Sequence, residues 1–356
     1  MDLLVLPGDD IGPEITAVAC RVLKRASDIH GLDLRFEQRA VGVAAHQSSG
    51  STVPDSVLDA ALKADGIILG PAGMTAYPEA TTGWLNVPGT IRKRLDLYAN
   101  IRPARSRAGI PGARAGLDVT IVRENTEGFY SDRNMFLGSG EFMPTEDVAL
   151  SVRKITRQAS HRIARVAFEM AKGENRPVTV VGKRHVLQVS DGLFMEEVRR
   201  VAADYPDIPL TEVDIDAMAA DIYTRPEKFG IILISNMFGD ILSNLAVALS
   251  GSLGLAASLN AGDGRAAANA GHGSAPDIAG RGIANPLGLV QSTILLVDWL
   301  GRTRDKPAFT QAAAQLHQAV DRVLATPDTR PGDLGGPAGT EAVGDALVAA
   351  LEDLAG

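Results

Sequence analysis

Residues 271–287 read GHGSAPDIAGRGIANPL, a run too rich in Gly, Pro and small side chains for core helix or strand, so it is an exposed loop of defined shape. Gly271 and Gly273 flank His272, Pro276 stiffens the backbone after it, and Asp277 stands beside the apolar Ile278. The segment therefore offers backbone N–H groups, a carboxylate and an apolar shelf together, which are the parts needed to hold an adenosine. A carboxylate against the ribose accepts hydrogen bonds from its hydroxyls and repels a 2′-phosphate, so the loop reads as one that takes NAD rather than NADP. Composition alone fits an ordinary long surface loop equally well. An absence elsewhere bears on the fold: no G-x-G-x-x-G succeeds the first strand, so the chain is not a Rossmann fold and holds its dinucleotide in another way.

HGSAPDIAGRGIANP resembles the adenosine loop of the β-decarboxylating dehydrogenases, the isocitrate and 3-isopropylmalate dehydrogenase family, nearest to its 3-isopropylmalate branch. LPGDDIGPEIT near the start and DLGGPAGTEAV near the end extend the resemblance over almost the whole chain. It implies an α/β fold of two domains, with sheets covered by helices. Residues 1–100 and 250–356 would form a large cofactor domain, and residues 101–249 a small one. An extended arm at about residues 131–150 would clasp a second subunit, giving a homodimer with shared active sites. The cofactor residues implied are His272, Gly273, Ser274, Ala275, Pro276, Asp277, Ile278 and Asn285.

At 356 residues the chain exceeds what one core usually organises, which independently favours two lobes. A net charge of −8 argues against nucleic acid and anionic membrane as partners. Cys20 falls in an apolar helical pattern and is a buried filler; no disulfide within the chain is possible, as suits a reducing cytoplasm. MDLLVLPGDD has no basic leader and no stretch approaches a membrane span, so a cytoplasmic protein is expected.

Along the chain, residues 3–6 form a strand, a turn comes at Pro7-Gly8-Asp9, and Ile15, Val18 and Val22 recur at helical spacing. Further strands lie at residues 32–36, 66–69 and 97–101, and a helix at residues 54–63. Continuous apolar runs suggest a sheet covered on both faces. A strand at residues 118–122 leads into RENTEGFY and the aperiodic SDRNMFLGSGEFMPTED. Val152, Ile155, Ala159, Ile163, Val166 and Met170 then line one face of a long helix. Strands at 178–181, 210–213 and 231–234 alternate with helices from Asp191 and after Asn236. Residues 259–273 read as a Gly/Ala-rich loop and residues 289–300 as an apolar helix.

Arg92, Arg94, Arg102 and Arg123 fall on or beside strand ends in an acidic protein, and guanidinium forks bind carboxylates bidentately. The resemblance assigns Arg92, Arg102 and Arg123 to the carboxylates of a di- or tricarboxylic hydroxy acid, and leaves Arg94 without a role. Asp240 and Asn244 lie four apart at a helix start, and their oxygens, like those of Asp216, suit Mg²⁺ or Mn²⁺. Capping is the other reading of Asp240. The resemblance makes Asp216 and Asp240 metal ligands, with Asn244 in place of a third carboxylate. It also makes Tyr130 and Lys183 a catalytic pair: Lys183, its pKa depressed by neighbours and Asp216 holding the relay, takes the hydroxyl proton, and Tyr130 protonates the enol. Three further departures are His185 for the family's usual Asn, Asn269 for a Glu, and GDD with Asp10 for GDG. The expected activity is NAD- and metal-dependent oxidative decarboxylation of a 3-substituted (2R)-malate. D-malate, tartrate, isocitrate or homoisocitrate as substrates, or a non-catalytic regulatory subunit, are the alternatives.

Overall fold

Leu3, Leu4, Val5 and Leu6 are all buried in β1 (Asp2–Leu6), the first strand of a computed structural model that describes residues 1–73, 77–78, 83–130, 132 and 135–356. The chain divides into two compact units: Met1–Leu97, Ser106–Ala115 and Ser250–Gly356 in the first, Tyr98–Arg105 and Gly116–Leu249 in the second. In unit one, β1 is followed by α1 (Gly12–His30), whose Ile15, Val18 and Val22 are buried and which ends on Gly31 in the left-handed region. Next come β2 (Arg35–Gln38), α2 (Val43–Ser49), α3 (Asp55–Lys63), β3 (Gly66–Leu69) and α4 (Val87–Arg94). Strand β2 starts later than residue 32, because Leu32 is buried and its N–H closes the end of α1 on Ser27. Cys20, on α1, is half-buried, and burial raises its thiol to about 11, so it is no nucleophile.

Unit two runs β4 (Ala99–Arg105), β5 (Asp118–Glu124), β6 (Glu141–Thr145), β7 (Val148–Ser151), α5 (Arg157–Glu174), β8 (Val178–Gly182), α6 (Ser190–Ala202), β9 (Leu210–Asp214), α7 (Ile215–Thr224), β10 (Ile231–Ile234) and α8 (Asn236–Leu249). Its sheet order is β4-β5-β10-β8-β9, parallel throughout except for β4 against β5. Phe168, Phe194, Val198, Val180 and Leu233 form its core between α5, α6 and the sheet. Helix α5 starts at Arg157, not near Val152. Thr156 is extended and caps the helix on the Ala159 N–H, while Val152 and Lys154 spend their N–H groups on Gly140 and Gly128. Of the expected arm, residues 131, 133 and 134 lie outside the described residues. Further along, β6 and β7 form an antiparallel hairpin exposed on both faces, with Phe142, Met143, Val148 and Leu150 in solvent.

The chain re-enters unit one through β11 (Leu259–Gly262), β12 (Arg265–Asn269), α9 (Leu287–Thr303), α10 (Pro307–Ala325) and α11 (Thr340–Ala355). The order there is β2-β1-β3-β12-β11, with only β11 antiparallel to its neighbour. Residues 259–269 are thus a hairpin rather than a loop. Asp263-Gly264 is its two-residue turn, with Gly264 at φ 76°, and the alanines of β12 are buried where a larger side chain would hold α9 away. Weak strand propensity hid the pair; close helix packing stabilises it. The result is an α/β architecture of two units whose sheets carry helices, without a G-x-G-x-x-G turn after β1. Among the described residues, no helix is long and apolar enough to cross a membrane.

Candidate functional site

Parallel strands deliver their following loops to one edge of a sheet, and ligands of open α/β sheets gather there. In unit two, Arg123 ends β5, Lys183 follows β8, Asp216 follows β9 and Asp240 follows β10, with Arg123 in register with Ile234 and Ile234 with Val181. Arg123 is 2% exposed, and its stem crosses α8 at Gly239, where a Cβ would come within 2.7 Å of it. Its Nη1 donates to Asp240 Oδ1 at 2.6 Å, its Nη2 to Tyr130 Oη at 2.8 Å, and both Nε and Nη2 to Asn236 Oδ1. Arg102 places Nη1 3.2 Å from the same Asp240 oxygen and 2.8 Å from Ser243 Oγ, with Nε on Asn100. Tyr130 Oη in turn donates to Asp240 Oδ2 at 3.1 Å. Burial, then the Arg123 charge beside it, lowers Arg102 to about 10, which leaves it cationic at neutral pH.

Arg102, Arg123, Tyr130 and Asp240 therefore meet in one cluster, and Asp240, in the second turn of α8, is an arginine partner rather than a cap. Asn244 lies exposed one turn further along the same helix. Arg92 and Arg94 sit not beside a strand but in the last turn of α4, in unit one, with Arg92 Nε folded back onto the Pro88 carbonyl at 3.1 Å. Lys183 hydrogen-bonds Asp216, and its Nζ is 3.6 Å from Asp214 Oδ2. Asp216 raises the Lys183 ammonium above its ordinary value, and Lys183 lowers Asp216, so within one chain the lysine is held charged rather than depressed. Carboxylate and amide oxygens on α8 are the hard donors a divalent cation takes, yet among the described residues no three His, Cys, Asp or Glu side chains gather around one point.

Sequence patterns missed the supporting polar residues. Buried Asn236 accepts from Arg123 and donates through Nδ2 to the Glu127 carbonyl; buried Asp191 accepts the Lys183 N–H at 2.6 Å and pairs with Arg153 at 2.6 Å. No spacing rule links such positions. Glu127 is 3% exposed and receives the Thr156 N–H and hydroxyl; burial, opposed by these bonds, pushes its carboxyl up to about 7. The neutral acid is thus favoured in the fold, and its stabilisation, complete below about pH 4.5, is lost as pH rises through about 7. Relative to Glu127→Gln, the wild type should lose on the order of 2–3 kcal/mol between about pH 5 and about pH 8 in urea unfolding. A difference independent of pH would contradict this.

In unit one, the loop of residues 271–287 leaves the C-terminal end of β12, beside the turns after β1 and β3. Ser274 is buried and its carbonyl accepts the Ile11 N–H at 3.2 Å, while Ala275 takes φ 44° and Asp277 is exposed beside half-buried Ile278. His272 Nδ1 faces the Gly273 carbonyl at 2.9 Å, and Nε2 is buried without a partner among the described residues, so the loop keeps an unsatisfied polar atom for a ligand. Asn285 spends Oδ1 on the Leu287 N–H and Nδ2 on Asp333 at 3.0 Å, ordering the loop against the DLGG turn. Two departures resolve structurally. Asp10 adopts φ 53°, a conformation Asp tolerates better than most residues, and Asn269 Nδ2 bonds the Leu69 carbonyl at 3.1 Å. Asp9, missed in the sequence, accepts from Val43 N, Gly73 N and Tyr77 Oη and ties these turns together.

A family profile described as isocitrate/isopropylmalate dehydrogenase matches residues 2–347. The chain is 39% identical over 353 residues to an isocitrate/homoisocitrate dehydrogenase of Thermus thermophilus, covering 99% of both chains. It is 37% identical over 354 residues to a 3-isopropylmalate dehydrogenase of Methanothermobacter thermautotrophicus, again covering 99% of both. Among solved structures, isocitrate dehydrogenase from Methylococcus capsulatus superposes with a TM-score of 0.86 at 34% identity, covering 98% of this chain and 99% of that one.

Proposed function

The chain belongs to the isocitrate/isopropylmalate dehydrogenase family of β-decarboxylating oxidoreductases, which act on small hydroxy acids, and from that premise we propose that it oxidises and decarboxylates a 3-substituted (2R)-malate. The observation that supports this best is the convergence of Arg102, Arg123 and Tyr130 on Asp240. Two guanidiniums meet one carboxylate there, leaving donors for the carboxylates of a substrate. Arg92 is the third substrate arginine in this reading. The loop of His272, Gly273, Ser274, Ala275, Pro276, Asp277, Ile278 and Asn285 would hold NAD, which supplies a hydride acceptor, and a bound Mg²⁺ or Mn²⁺ would supply Lewis-acid chemistry. Asp240, Asn244 and Asp216 would hold the cation, with Lys183 and Asp216 both coming across a homodimer whose arm is at about residues 131–150. Lys183 takes the hydroxyl proton, with Asp216 as its relay. When the C3–carboxyl bond breaks, its electron pair enters the 2-oxo group, and Tyr130 returns a proton to C3.

The domain division proposed is a large cofactor domain of residues 1–100 and 250–356 and a small domain of residues 101–249. The third-carbon group is read by the segment before Arg92. There Asn86 Oδ1 is committed to capping α4 on the Gly89 N–H at 2.8 Å, and Val87 and Pro88, candidates for apolar contact, are buried in unit one. Leu85, 42% exposed, is the remaining apolar contact. A further carboxylate has no added cation in this segment, so 3-isopropylmalate should be turned over ahead of D-malate, tartrate and isocitrate. The margin should be modest, because one methylene-sized contact is worth only about 1–3 kcal/mol. Run with both nucleotides, the same panel should show higher kcat/KM with NAD, since exposed Asp277 repels a 2′-phosphate. A preference for isocitrate of about a hundredfold or more would overturn the pocket assignment, and higher kcat/KM with NADP would remove Asp277 from the ribose.

A further inference from the structure

His185 departs from the family's usual Asn, and its contact explains what it does here. Its Nδ1 lies 2.7 Å from Asp214 Oδ2, and the same oxygen is 3.6 Å from Lys183 Nζ. Asp214 is the last residue of β9, in register with Gly182, and so stands beside the strand end from which Lys183 departs. The Lys183 main chain is already fixed, because its N–H donates to buried Asp191, itself paired with Arg153. Only the position of the ammonium between two carboxylates, Asp216 and Asp214, is left to be set. We propose that His185 is a positioning residue for Lys183: it holds the Asp214 carboxylate back, so that Nζ stays on Asp216 instead of collapsing onto Asp214.

The pair is too exposed to serve stability. The His185 side chain is 59% exposed and that of Asp214 38%, a setting in which ion pairs contribute little and variants remain folded. Its effect belongs to geometry, where a displacement of about 1 Å in a reacting group lowers a rate by up to about a hundredfold. The inference rests on the role proposed above for Lys183, and its test has one arm that needs no turnover.

Crystal structures of the full chain carrying His185→Ala should show Nζ moved to within about 3 Å of Asp214 and off Asp216. In kinetics, His185→Ala should lower kcat by about tenfold with little change in KM, and His185→Gln, which keeps a donor, should recover most of it. The double variant His185→Ala/Asp214→Ala should recover most of the rate lost in His185→Ala, because the carboxylate that would capture Nζ is gone. Nζ unmoved in His185→Ala, a double variant no faster than His185→Ala, or a rise in KM for NAD with kcat intact would each overturn the proposal. A wild-type protein that turns over no 3-substituted malate would overturn the functional reading instead, and the crystal structure alone would then decide on the brace.

Discussion

Lys183→Ala is expected to lower the rate of substrate oxidation by about three orders of magnitude, the middle of the range for loss of a general base. Decarboxylation of a supplied β-keto acid should survive in part. Lys183 and Asp216 are joined directly, whereas Tyr130 belongs to the Arg123–Asp240 cluster, so the two proton-handling groups occupy different contacts in unit two. Tyr130→Phe should accordingly show the reverse pattern, with oxidation retained and protonation of the enol slowed. Single-turnover NADH formation and loss of supplied keto acid separate the two steps. Equal loss of both half-reactions in each variant would reject the division of labour.

The second large effect concerns metal. EDTA is expected to abolish turnover, and Mg²⁺ or Mn²⁺ to restore it, in spite of Asn244. Asp240 Oδ1 is shared by Arg123 at 2.6 Å and Arg102 at 3.2 Å, so two positive charges already neutralise it, and Asn244 adds an oxygen but no charge. A cation binding there competes with the arginines and depends on Asp216 and on the substrate's own oxygens. Restoration should therefore require more metal without substrate than with it, which titration of NADH formation at several substrate concentrations measures. Full activity in EDTA would contradict this assignment.

Much of the fold could be read directly from pattern. Runs such as Gly66–Leu69 and Ile231–Ile234 are apolar at every position and are strands with those bounds. Elements failed where short-range signals were weak or competed. The β11–β12 hairpin is written in alanines, and only its Asp-Gly turn betrayed it. Val152 and Ile155 extended the apolar spacing back past Thr156, whose cap marks where the helix begins. At the candidate site, the charged residues announced themselves by type and motif, but their neighbours did not. Asn236, Ser243 and Asp191 act through bonds to residues 113, 141 and 8 positions away. Such contacts are set by strand order, which no local spacing encodes. The departures Asp10 and Asn269 meet backbone needs of their own, one a left-handed turn and the other a bond to Leu69.

The most direct test of the proposed activity is to supply the purified protein alone with NAD, Mg²⁺ and 3-isopropylmalate and to measure NADH and CO₂ together. Equimolar release of both is the predicted result. No NADH from any member of the substrate panel would contradict that activity and favour a non-catalytic subunit.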